Sequence, residues 1–131
     1  MEKTKILVVD DDKEIRDYFK EAFVLKGFDV VTASNGILGL ESALKEKPQF
    51  ILSDINMPEL DGMGMLKQLR SSGDWGKKVP VIMLTNIDPN ENIMKDVVES
   101  EPSFYFLKSE TSPTTIIEKL KEITDLQKIE E

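Results

Sequence analysis

The chain has 131 residues, one domain's worth at roughly 100–200 residues per domain, and its 40% hydrophobic and 32% charged side chains suit a compact soluble fold. Seventeen Lys and Arg against 25 Asp and Glu give a net charge of −8, which argues against direct binding of nucleic acid. With no Cys and no His, disulfides, thiol catalysis and an imidazole general base are excluded; with no apolar run near the ~20 residues of a membrane span, a cytoplasmic location is expected.

Apolar runs of strand length alternate with helix-period segments. Lys5–Val9 reads as a first strand, followed by the acids Asp10, Asp11 and Asp12 and a helical stripe of Ile15, Tyr18, Phe19, Ala22 and Leu25 that stops at Gly27. A second strand, Asp29–Ala33, leads through Ser34-Asn35-Gly36 into a stripe of Leu40, Ala43 and Leu44, ended by Pro48. The third strand, Phe50–Ser53, delivers Asp54, and Met63, Leu66 and Leu69 mark a helix closed by Ser71-Ser72-Gly73. Val79–Leu84 is the fourth strand, with Thr85 at its end and a weaker stripe of Ile93, Val97 and Val98 beyond it. The fifth strand, Phe104–Leu107, releases Lys108; Ser112-Pro113 then opens a last helix carrying Ile116, Ile117, Leu120 and Ile123. Residues Gln127–Glu131 are polar and expected to fray.

This (βα)5 alternation predicts an α/β fold, a doubly wound parallel sheet with right-handed crossovers and helices on both faces, in the flavodoxin-like strand order 2-1-3-4-5. One domain over 1–124 is expected, with 125–131 as helix end and tail. Ligands of such a sheet bind at the carboxyl ends of its strands. In the expected order Asp10, Asp11 and Asp54 meet there, with Thr85 and Lys108 on the far side. Carboxylates so close repel unless a cation sits among them, and an all-oxygen acidic pocket suits Mg2+, or Mn2+ in its place. A carboxylate beside that ion can attack phosphorus. The Lys108 ammonium and the Thr85 hydroxyl can serve the phosphoryl oxygens.

Asp10-Asp11 after Val8-Val9, the run Asp54-Ile55-Asn56-Met57-Pro58-Glu59-Leu60-Asp61-Gly62, and Thr85, Tyr105 and Lys108 in order together resemble the receiver domain of two-component response regulators. The resemblance extends from Lys5 to about Thr124. It implies that Asp54 accepts a phosphoryl group from the phosphohistidine of a sensor histidine kinase or a histidine phosphotransfer domain. It also implies Asp11 as a direct metal ligand, Asp10 as a ligand through water, and the Asn56 backbone carbonyl as a third protein ligand. Thr85 and Tyr105 would form a switch pair and Lys108 would hold the phosphate. The gained charge would alter the face built from the fourth predicted helix, the fifth strand and the fifth helix, and so control a partner protein. On this reading the chain is a phosphoacceptor and not a turnover enzyme. With no long linker after Thr124, a stand-alone regulator or a phosphorelay intermediate is expected ahead of a piece of a longer chain.

Two positions depart from the family pattern: Ser109 follows Lys108 where proline is common, and Asn86 follows Thr85 where a smaller residue is usual. Neither removes a reacting group. Simpler roles are assigned to Asp12, a helix cap, and to Met57-Pro58 and Asp61-Gly62, a turn and a helix entry. The enzymatic rival is an aspartate-nucleophile phosphatase of the haloacid dehalogenase type, which needs Asp-x-Asp-x-Thr/Val after the first strand; Glu14 does not complete that stretch. A Walker loop and a full dinucleotide fingerprint are absent.

Overall fold

The computed structural model describes residues 4–85, 103–107 and 111–130. Along the chain these form β1 (Lys5–Val9), α1 (Lys13–Leu25), β2 (Asp29–Ala33), α2 (Gly36–Glu46), β3 (Phe50–Asp54), α3 (Gly62–Arg70), α4 (Asp74–Lys78), β4 (Val81–Thr85), β5 (Ser103–Leu107) and α5 (Pro113–Glu130). The stripe at Ile93, Val97 and Val98, and residues Asn86, Lys108 and Ser109, lie outside the described residues.

All five strands are parallel and ordered β2-β1-β3-β4-β5, as the alternation predicts. The inner strands are buried on both faces, so their side chains divide by parity between two cores. Leu7, Val9, Ile51, Val81 and Met83 pack with Ala43 of α2 and with Met63, Met65, Leu66 and Leu69 of α3. Ile6, Val8, Phe50, Leu52, Ile82 and Leu84 pack on the opposite face with Phe19 and Phe23 of α1 and Ile116, Ile117, Leu120 and Ile123 of α5.

Three expectations about the elements are corrected. Helix α1 buries Phe19 and Phe23, whereas Tyr18 and Leu25 of the expected stripe are 55% and 86% exposed. Ile15, Phe19 and Phe23 recur every fourth residue and stay on one side of the helix; Leu25 lies about 200° round from Phe23. In α2 the inward positions are Gly36, Gly39 and Ala43, and Leu44, one step of about 100° past Ala43, is exposed. The fourth strand begins at Val81, not Val79, because Pro80 has no N–H to give a ladder and Val79 caps α4, its N–H donating to the Trp75 carbonyl at 3.0 Å. Helix α5 runs from Pro113 to Glu130.

Candidate functional site

Register alone brings two acids together. Val9 of β1 pairs with Ser53 of β3, so the residues that follow them, Asp10 and Asp54, leave neighbouring strands side by side, roughly 4.8 Å apart in backbone spacing. Asp54 pairs in turn with Leu84, and Thr85 with Leu107, so Thr85 ends β4 one residue beyond Asp54's level. Tyr105 occupies the β5 position opposite Met83. The strand ends thus order Asp10, Asp54 and Thr85 along one rim of the sheet.

Within that rim, Asp10 is 2% and Asp54 7% exposed, while Asp11 is exposed to solvent. One carboxylate oxygen from each of the three lies within 4.8 Å of the others. An octahedral shell with ligands at about 2.1 Å puts neighbouring oxygens ~3 Å apart and opposite ones ~4.2 Å apart. The trio therefore fits the ligand sphere of one hard divalent cation, with a water completing the reach where a side chain falls short. Asn56 is exposed, two residues past Asp54 in the loop that leaves β3.

Local hydrogen bonds explain why the acids hold these positions. The Asp10 N–H continues the ladder to the Ala33 carbonyl at 3.1 Å, and the Asp12 N–H donates to Asp10 Oδ1 at 2.9 Å. Asp12 is the cap of α1, accepting from the Glu14 N–H at 2.9 Å, as its simpler role required. Asp61 caps α3 in the same way, accepting from the Gly64 N–H at 2.7 Å. On α1, Lys13 bonds Asp17 at 2.8 Å and holds that carboxyl below its ordinary pKa.

Sequence reasoning missed Arg16 and Gly36 and gave Gly62 only its place at the helix entry. Arg16 on α1 donates from Nη1 to the backbone carbonyl of Asp10 at 2.8 Å; its only sequence sign is a basic residue one turn into the helix after an acidic pair. Two glycines are small because backbone passes beside them. A Cβ on Gly36 would stand 2.1 Å from the Leu60 carbonyl oxygen, and one on Gly62 would stand 2.3 Å from that of Asp54. These close approaches carry hydrogen bonds from Gly36 N–H to Leu60 and from Gly62 N–H to Ile55, which fold the β3–α3 loop back against both α2 and β3. Within that loop Glu59 adopts φ 69°, a left-handed conformation rare outside glycine, and its carboxylate accepts from Asn35 Nδ2 at 3.4 Å.

Among the described residues no helix is long and apolar enough to cross a membrane. The family model for the response regulator receiver domain matches residues 6–121. In structure, the chain is similar to a CheY-like response regulator receiver domain protein from Methanospirillum hungatei JF-1, with 28% identity and a TM-score of 0.85 over 99% of this chain and 100% of that one. It is similar also to the Francisella response regulator 1452 receiver domain, with 31% identity and a TM-score of 0.82 over 95% and 98% of the two chains. In sequence, 84 residues are 44% identical to the "Probable transcriptional regulator ycf27" of Porphyra purpurea, covering 64% of this chain and 33% of that protein. The match thus spans about a third of the length of such curated relatives. The chain belongs to the response regulator receiver domain family.

Proposed function

We propose that Asp54 accepts a phosphoryl group from a partner's phosphohistidine and that the modified domain controls a downstream protein. The observation that carries this reading is the approach of Asp10, Asp11 and Asp54 to within 4.8 Å at the strand ends of a receiver fold. A carboxylate oxygen of Asp54 attacks phosphorus; the new P–O bond forms as the P–N bond to the partner's imidazole breaks, and the imidazole leaves with the bonding pair. A divalent cation bound among the acids, Mg2+ or Mn2+, supplies neutralisation of the phosphoryl oxygens' charge. Asp11 would hold it directly, Asp10 through water, and the Asn56 carbonyl would complete the protein's share. The Thr85 hydroxyl donates to one phosphoryl oxygen and the Lys108 ammonium pairs with another.

Phosphorylation adds up to about two negative charges and three acceptor oxygens at the rim. Thr85 moves toward them and Tyr105 turns into the space it leaves, which shifts the population of conformers on the face around β5 and α5. The domain acts once per phosphoryl group and is not a turnover enzyme. The absence of His from the chain agrees with an imidazole donor on another molecule, a sensor histidine kinase or a histidine phosphotransfer domain. We place it in the cytoplasm, acting through protein contact without binding nucleic acid itself. The relatives' names favour one further reading of the output, control of transcription through other parts of a longer regulator.

Incubation with acetyl phosphate and Mg2+ followed by intact-mass measurement tests the chemistry. The wild type should gain the mass of one phosphoryl group, and Asp54→Ala should gain none. An unmodified wild type, or an adduct retained in Asp54→Ala, removes Asp54 as acceptor.

A further inference from the structure

We infer that Arg16 is a positioning residue for the metal site, a clamp that fixes the Asp10–Asp11 peptide. This rests on the function proposed above. The Asp10 backbone is held on both sides: its N–H donates to Ala33, and its carbonyl accepts from Arg16 Nη1 at 2.8 Å. Pinning that carbonyl fixes the plane of the peptide that leads into Asp11. Asp11 is the exposed member of the trio and lacks the burial that holds Asp10 and Asp54. Its direction is therefore set by the backbone it hangs from. Further pins are local: the Asp12 N–H bonds the Asp10 side chain, and the Arg16 N–H bonds the Asp12 carbonyl at 3.0 Å, so one residue ties the helix to the loop through both backbone and side chain.

Arg16 is half-buried beside a cleft of about 300 Å3 that it shares with Thr32, Ala33, Ser34, Leu38 and Ser42. A guanidinium bonded to the backbone of Asp10 has two opposed effects on a cation held by the acids. Its charge repels the ion, whereas its hydrogen bond preorganises the ligands. The sign of the change on removing it separates the two.

Binding of Mn2+ alone to the unphosphorylated full chain, followed by electron paramagnetic resonance, is the test. Arg16→Met keeps the apolar stem and loses both bond and charge; it should bind Mn2+ roughly 10-fold more weakly than wild type, the scale of losing a group that orients a metal ligand. Arg16→Lys keeps the charge and lacks the planar fork, so a loss of affinity in it is geometric; several-fold weaker binding is expected, and this comparison decides the matter if Arg16→Met does not fold. Affinity equal to wild type in both variants, or tighter binding in Arg16→Met, overturns the clamp while leaving the phosphoacceptor reading intact. A wild type that binds no Mn2+ overturns both.

Discussion

One added methyl group measures how tightly the end of β3 is held. At Gly62 the nearest obstacle to a Cβ is the Asp54 carbonyl oxygen at 2.3 Å, and that oxygen also accepts from the Ser53 hydroxyl at 2.9 Å. Backbone cannot swing aside as a side-chain tip can, so Gly62→Ala should destabilise by about 1–3 kcal/mol and slow phosphorylation of Asp54. Urea unfolding and acetyl phosphate labelling check the two effects; a neutral variant would show that the loop shifts at no cost. Asp11 offers the complementary experiment, because it is exposed and its replacement disturbs no packing. If the cation binds the folded site and not the unfolded chain, Mg2+ at a hundred times its Kd should add about 2.7 kcal/mol of stability. Asp11→Asn should fold as the wild type does and lose most of that gain. An undiminished gain would take Asp11 out of the ligand set.

Among the elements, α1 separates what pattern reveals from what packing decides. Phe23 is fully buried, with its ring 5.8 Å from that of Phe19, so Phe23→Ala should cost about 3–5 kcal/mol. Leu25→Ser, at a position 86% exposed, should change stability by no more than about 0.5 kcal/mol. Thermal unfolding of both variants checks the helix's facing, and a reversed order would restore the stripe that the sequence suggested. The continuous apolar runs of β1, β3 and β4 were readable because strands buried on both faces lack polar alternation, and Asp10 and Asp54 were readable because strand ends locate them. Phe23 was missed because the stripe was drawn through Tyr18, Ala22 and Leu25, rotated away from the Ile15–Phe19–Phe23 line that packs on the sheet. Helix α4 was missed because five residues give no periodicity. It is held partly by Arg70, whose Nη1 donates to the Gly76 and Val79 carbonyls at 2.9 and 2.7 Å, and whose burial pushes its pKa down to about 10. Bonds from a side chain to a backbone carbonyl leave no pattern of their own in the sequence, and neither does the backbone packed beside Gly36.

Across the whole molecule the sheet couples what happens on its two faces. Alternate residues of β1, β3 and β4 feed opposite cores, so neither face can open without stripping strands from the other. The acid trio sits on that shared structure, Asp54 ending β3 and Asp10 following β1, and it should report on the entire fold. Trp75, the only tryptophan, lies on α4 and packs against the core that includes α2 and α3, whereas far-UV circular dichroism samples every helix. Urea unfolding should therefore give one transition, coincident by Trp75 fluorescence and by circular dichroism, with an m-value of about 1–3 kcal/mol per molar. Saturating Mg2+ should move both curves to higher urea by the same amount, although Trp75 lines a cleft with Thr4, Pro48 and Pro80 near the opposite ends of the strands. A fluorescence change that precedes the loss of helix, or one that ignores Mg2+, would mean that the α3–α4 side opens as a separate unit. In that case a signal at the acid end would reach the rest of the molecule through local loops and not through the sheet.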